Sequence, residues 1–343
     1  MKKILFFDAV APYEYNFSIL ENKGLGASES YLLSVADKLK STFDVDISTS
    51  KVKYNYTQND VVFKKLNLKN LASNYDTIII QRDPHNFKIL KKSYPDAKFI
   101  IWLHDFYESS VWNSLTTDEL QYICDNSTLL CVSNWHKNNF ETNLKLRKVK
   151  NPKVKFIHFF IEDKKGISKE PIAVNKNKLC FFSASHKGLE FTLRIFEQLH
   201  KINPKFKLFV GNPTYDTKNE FKDAKGSIIN LKNQTRNEVL YHMKGSLATL
   251  HLNKEYPETF GCVNAESNLV GTPVLAYDLG ATKEILFNAD KQLVKTNPYR
   301  VDLNDVTAIV ETILTWYKGD RPIVKLNPLF DQQKIIKKWI EIL

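Results

Sequence analysis

Short apolar runs recur along the first half of the chain, and stretches with apolar positions returning every three or four residues separate them. The runs KILFFDA, DVDIST, DTIIIQR, KFIIWLH, TLLCVS and VKFIHFF read as strands. Between the first two lies SESYLLSVADKLKS, in which Tyr31, Leu32, Val35, Ala36 and Leu39 share one helical face. Alternation of this kind predicts parallel βα units in a doubly wound sheet. Residues 162–178 then break the pattern: EDKKGISKEPIAVNKNK is polar, without periodicity, and contains Gly166 and Pro171. Beyond it the alternation restarts, with LCFFSA, FKLFVG and LATLHL as strands and LEFTLRIFEQLHKI and RNEVLYHMKG as helices. The chain closes on an amphipathic helix that offers Ile335, Ile336, Trp339, Ile340 and Leu343 for burial. The expected architecture is α/β, with two Rossmann-like doubly wound domains over 1–165 and 166–325 and a final helix over 326–343 that returns to the first domain. Two such halves leave a cleft, where α/β proteins tend to bind ligands.

Composition narrows the class. A chain of 343 residues is longer than single cores usually grow, which agrees with two domains. Hydrophobic residues at 43% and charged ones at 25% exclude a disordered chain. Cys124, Cys131, Cys180 and Cys262 have neither metal-type spacing nor a disulfide framework, so a reducing compartment suits them. The opening MKKILFFDAV reaches Asp8 too soon for a signal peptide or a membrane span. It reads as a buried first strand, and the expected location is cytoplasmic. The net charge of +11 is carried mainly by lysine, which argues against specific nucleic-acid reading, where bidentate arginine is the usual tool. Its densest patch, KLRKVKNPKVK over 145–155, suits peripheral contact with the inner, anionic face of a membrane.

Residues 257–286, PETFGCVNAESNLVGTPVLAYDLGATKEIL, place Glu258 and Glu266 on either side of Gly261. Gly271 and Pro273 end a helix well, and the local grammar predicts one from near Thr259 to just before Gly271. Eight residues rise about 12 Å and return the second glutamate to within roughly 80° of the first. That exceeds the roughly 5 to 9.5 Å between the carboxyl groups of a glycosidase pair and suits an elongated ligand better. The N–H groups of Phe260, Gly261 and Cys262 would offer a diphosphate a helix N-terminus. A nucleotide diphosphate sugar then fits lengthwise, with its sugar hydroxyls at Glu258 and its ribose hydroxyls at Glu266. The residues alone leave a plainer reading open, in which one glutamate meets the helix dipole and the other is solvated.

ETFGCVNAE followed by GTPVLA resembles the hallmark of glycosyltransferase family four, the retaining nucleotide-sugar transferases of the GT-B fold. GLGASESYLLSVADKL, WLHDF, CVSNWHK and SASHKGLEFTLRIF resemble further stations of that family in the right order, so the resemblance spans nearly the whole chain. It implies a retaining glycosyltransferase that moves a sugar from an NDP-sugar to a hydroxyl of a glycan or glycolipid acceptor, with no metal and no other cofactor. By the same resemblance Lys187 neutralises the leaving diphosphate, although Phe182 stands where the family often has a second cation. Gly24 and Gly26 bring backbone N–H groups to the phosphate or acceptor, and Ser28 and Glu29 depart from the three-glycine dinucleotide fingerprint. His104, ending a strand with Asp105, lies by the donor sugar, and Leu231, Asn233 and Gln234 lie by the nucleobase. His158, inside an apolar run, reads as packed. Asp44-Val-Asp46 looks like the metal-binding Asp-x-Asp of the other large glycosyltransferase fold, but strand alternation accounts for it. Two rival readings keep the fold and change the function: a nucleotide-sugar epimerase, which needs no acceptor, and a non-catalytic scaffold that binds glycan or anionic lipid.

Overall fold

The computed structural model describes residues 1–66, 68, 74–212, 226–295 and 303–343. The chain divides into two compact units, one of residues 1–20, 27–159 and 332–343, the other of residues 21–26 and 160–331. The change of unit falls after Phe159 rather than after residue 165, and the polar stretch expected as a break belongs to the second unit. There Asp163 caps its own turn, its two carboxylate oxygens accepting the N–H groups of Ile167 at 2.8 Å and Ser168 at 2.7 Å.

The first unit is built from β1 (Lys3–Asp8), the first four residues of α1 (Phe17–Asn22), α2 (Ala27–Leu39), β2 (Asp44–Thr49), β3 (Tyr56–Gln58), β4 (Val61–Lys65), β5 (Thr77–Gln81), α3 (Phe87–Ser93), β6 (Lys98–Trp102), α4 (Thr117–Asn126), β7 (Thr128–Cys131), α5 (Asn134–Leu146) and β8 (Val154–Phe156). Its sheet has the order β3-β4-β2-β1-β5-β6-β7-β8. All pairs are parallel except the β3–β4 hairpin, which the sequence reading missed. Asn59 and Asp60 form its two-residue turn with φ of 50° and 59°, the left-handed pair that matches the twist of a hairpin. The inner strands are buried on both faces, as β5 is at every position, and this is why they read as unbroken apolar runs. The last expected strand, VKFIHFF, stays in the sheet only through Phe156. Beyond it the Phe159 ring lies 3.9 Å from that of Tyr31, and His158 is packed inside as expected.

The second unit contains β9 (Asn175–Phe182), α6 (Leu189–Ile202), β10 (Lys207–Gly211), β11 (Ile228–Lys232), α7 (Arg236–Lys244), β12 (Ser246–His251), α8 (Cys262–Leu269), β13 (Val274–Ala276), α9 (Thr282–Ile285) and α10 (Leu303–Thr315). Its sheet is parallel with the order β11-β10-β9-β12-β13. The closing helix α11 (Gln332–Ile342) begins six residues later than the expected 326, and its residues belong to the first unit. Its anchor is Trp339, fully buried with its ring 4.7 Å from Trp102 and 6.4 Å from Phe6.

Candidate functional site

In the second unit the C-terminal ends of β9 and β12 deliver the chemistry. After β9 the chain turns so that the Lys187 N–H donates to the Ala184 carbonyl at 2.9 Å. Gly188, at φ +92°, then starts α6, and a Cβ there would meet the Leu252 carbonyl oxygen at 2.5 Å. Only glycine fits so close to the chain leaving β12, and the fit seats Lys187. Its Nζ lies 2.7 Å from Glu258 Oε1. His251, the last residue of β12, reaches the same oxygen with Nε2 at 3.1 Å. Glu258 itself forms a parallel bridge with Gly280, and its carbonyl accepts the Ala281 N–H at 2.7 Å. Gly280, at φ +69°, would clash with the Glu258 backbone if it carried a Cβ. Burial opposes the charge on Glu258, but the Lys187 ammonium and the His251 hydrogen bond outweigh it and hold the carboxyl well below the usual range.

The helix between the two glutamates is shorter than expected. It begins at Cys262 rather than near Thr259, so Glu258 and Phe260 lie outside it. The reason is Gly261, which caps it in the left-handed region at φ 86° and ψ 63°. The N–H groups of the first turn are therefore those of Cys262 and Val263, not those of Phe260 and Gly261. Phe260 is instead a packing residue, buried with its ring 5.1 Å from Phe330. Burial pushes the Cys262 thiol up, and Glu266 adds to the effect. Glu266, inside the helix, is held by Arg236, whose Nε lies 2.6 Å from its Oε1. A capping box fixes that arginine at the first position of α7: Thr235 Oγ1 accepts the Glu238 N–H at 3.3 Å and Glu238 Oε2 accepts the Thr235 N–H at 2.7 Å.

The residues expected near the nucleobase are occupied by the chain. Leu231 sits in β11. Gln234 Nε2 donates to the Leu231 carbonyl at 2.7 Å, and Asn233 Oδ1 accepts the Gly24 N–H at 3.0 Å. Gly24 lies so close to the Gln234 carbonyl that a side chain there would clash, and Gly26 is buried in the same short segment.

His104 belongs to the first unit, just past β6. Its Nε2 lies 3.2 Å from Gln81 Oε1 and its ring 4.8 Å from Trp102. Burial, with Arg82 nearby, pushes its pKa well down. The sequence reading missed its neighbourhood: Arg82, at φ +64°, donates to Asp8 Oδ2 at 3.2 Å and Glu29 Oε1 at 2.6 Å. It missed Arg236 and His251 too. For these the available signals were a histidine ending an apolar strand and an arginine inside a Thr-x-x-Glu capping box. Asp46, half of the Asp-x-Asp decoy, is buried against Lys64 at 2.8 Å and Tyr75 Oη at 2.6 Å, whereas Asp44 is exposed.

The two parallel α/β units have the GT-B fold, and solved structures share it. The fold matches sucrose-phosphate synthase from Thermosynechococcus elongatus at a TM-score of 0.66 and 11% identity, over 100% of this chain and 98% of that one. AviGT4, a glycosyltransferase involved in avilamycin A biosynthesis, matches at 0.60 and 12% over 100% and 97%. The pneumococcal O-GlcNAc transferase GtfA, solved with UDP and GlcNAc, matches at 0.59 and 15% over 84% and 62%. By sequence, residues 162–327 match the family described as glycosyl transferases group 1. Comparison with curated protein sequences gave no match. Among the described residues no helix is long and apolar enough to cross a membrane.

Proposed function

We propose that the protein transfers a glycosyl group from an NDP-sugar to an acceptor hydroxyl, with retention at the anomeric carbon. The observation that carries this reading is Glu258, an ionised carboxylate whose Oε1 is clamped by Lys187 and His251. Its other oxygen is left to accept hydrogen bonds from sugar hydroxyls. In the reaction the bond from the anomeric carbon to the diphosphate oxygen breaks and a bond to the acceptor oxygen forms on the same face. The acceptor proton passes to a phosphate oxygen, and NDP leaves. Lys187 and the first-turn N–H groups of α8 take up the charge that develops on the diphosphate, so no metal is invoked. Glu266, steadied by Arg236, holds the ribose hydroxyls. Exposed Lys145, Lys148, Lys150, Lys153 and Lys155 suit peripheral contact with an anionic cytoplasmic membrane face, where a glycolipid or polysaccharide acceptor would be met.

A thermal-shift panel of UDP-, GDP- and ADP-sugars identifies the donor, because a bound ligand raises apparent stability. With that donor, Glu258→Ala and Lys187→Ala should each lower transfer at least about 100-fold while the fold persists. Full activity in either variant overturns the site. Donor isomerised without acceptor would make the protein an epimerase, and no donor turnover at all would make it a scaffold.

A further inference from the structure

His251 occupies a place where the sequence calls for an apolar residue. It closes β12, a strand buried at all six positions, and is itself 3% exposed. A buried carboxylate that stays ionised only accepts hydrogen bonds, so the hydrogen between the two side chains sits on His251 Nε2. Nδ1 is buried with no partner among the described residues. An orphan of this kind is unfavourable. A leucine would fill the strand without it, so what the imidazole adds here is the Nε2 hydrogen bond. Lys187 and His251 converge on one oxygen of Glu258, and Oε2 has no hydrogen-bond partner among the described residues. The two donors differ in freedom. The Lys187 side chain is 28% exposed at the end of a flexible stem, whereas the imidazole is 4% exposed and fixed by its strand.

We propose that His251 is a positioning residue for the donor sugar: it keeps Glu258 oriented through Oε1 while Lys187 turns toward the donor's diphosphate, so that Oε2 stays aimed at a sugar hydroxyl. This rests on the reading of Glu258 as the sugar-side carboxylate. Without His251, drawing Lys187 to the phosphates leaves a buried carboxylate with no internal donor, and its orientation is lost when the sugar has to be held. The device therefore concerns the sugar and not the nucleotide.

The test separates those two halves. Affinities for NDP and for the matching NDP-sugar are measured by calorimetry, with kcat, in the wild type, His251→Gln and His251→Leu. Glutamine places an N–H close to the Nε2 position and leucine does not. The leucine variant should bind NDP within about twofold of the wild type. Its NDP-sugar affinity relative to NDP, and its kcat, should fall about 10- to 100-fold, the worth of one charge-assisted hydrogen bond. The glutamine variant should stay within about threefold of the wild type in both. Equal weakening of NDP and NDP-sugar by leucine would reduce His251 to a packing role, and unchanged sugar binding and kcat would make it idle. Either result overturns the proposal, as does a glutamine variant no better than leucine. A wild type that binds NDP but gains nothing from the sugar overturns the sugar-side reading of Glu258 instead.

Discussion

Each unit buries acidic side chains at the C-terminal edge of its parallel sheet, and the two sites reach opposite electrostatic ends. In the first, Asp8 and Glu29 share a single guanidinium, that of Arg82. In the second, one carboxylate, Glu258, has two nitrogen donors on one oxygen. Burial raises the Asp8 pKa and Arg82 only partly offsets it, while Glu258 is held well below the usual range despite its burial. Availability differs as well. Asp8 Oδ1 takes the Val10 N–H at 3.2 Å, and Oδ2 takes the Tyr15 hydroxyl at 2.9 Å together with Arg82. Glu29 likewise has both oxygens engaged, by Arg82 and by the Tyr13 hydroxyl at 3.4 Å. Glu258 Oε2 has no such partner among the described residues. On the reading proposed for Glu258, what distinguishes a binding carboxylate from a structural one is neither burial nor charge but an unspent acceptor.

Removing the cation from each site should give the largest divergence. Arg82→Met strands two buried carboxylates and should destabilise the first unit by about 3–5 kcal/mol in chemical denaturation. Adding Glu29→Gln should return at least half of the loss, because one charge then vanishes with its partner. Lys187→Met should cost well under half as much as Arg82→Met, since His251 still donates to Glu258. Comparable losses in the two variants would erase the contrast between a structural knot and a ligand site.

Acid should separate the units next. His136 is fully buried, accepting the Val132 N–H at Nδ1 and reaching the Asp105 carbonyl from Nε2 at 2.9 Å. Both ring nitrogens are satisfied only in the neutral form, and burial lowers the pKa to about 4. The unfolded chain binds a proton near pH 6.5 that the folded one refuses, so stability falls as pH drops from about 6.5 toward 4. The loss should approach about 3 kcal/mol for this group alone. His104 acts in the same sense, whereas Asp8, with its raised pKa, opposes it. Glu258 has the depressed pKa of a paired acid, so its contribution is intact down to the ordinary glutamate range and is lost only below it. Hydrogen exchange at pH 7.5 and pH 5 should show β6 and β7 losing more protection than β9 and β12, where the half-buried His242 acts in the same sense. His136→Gln should flatten the decline in the first unit. A decline unchanged by that substitution would assign the acid response elsewhere.

Legibility in the sequence followed the physics of each element. Inner parallel strands such as β1, β5 and β6 announce themselves because both faces are buried. The β3–β4 hairpin did not, since its strands are short and half exposed, although Asn59-Asp60 between them is a turn signal that could have been used. The unit boundary was misjudged for a related reason. Within residues 162–178 Asp163 spends both oxygens on backbone N–H groups, and a polar residue of that kind looks like linker until the turn is seen. Spacing and resemblance singled out Glu258, Lys187 and Glu266. Arg236, His251 and Gly280 were not, because each acts on a residue far away in the chain, and one sequence carries no record of which distant side chains meet.

The smallest predicted effect concerns another orphan. Asn264, in the first turn of α8, is fully buried, and neither its Oδ1 nor its Nδ2 has a hydrogen-bond partner among the described residues. Its amide nitrogen would lie 3.1 Å from a Cβ at Gly261, so it packs against the residue that caps the helix. His251 also carries an orphan nitrogen, but there the other nitrogen is in use. At Asn264 neither atom is, and leucine has the same branched outline without the polar atoms. Asn264→Leu should therefore stabilise the second unit by about 1 kcal/mol, the low end of what an unsatisfied buried group costs. It should leave NDP-sugar affinity unchanged. A stabilised variant that also binds donor more weakly would mean that the amide is an acceptor or donor held in reserve for the ligand, the role proposed for Glu258 Oε2. Asn264 would then join the binding side of the comparison, and the rule of the unspent group would extend from carboxylates to amides.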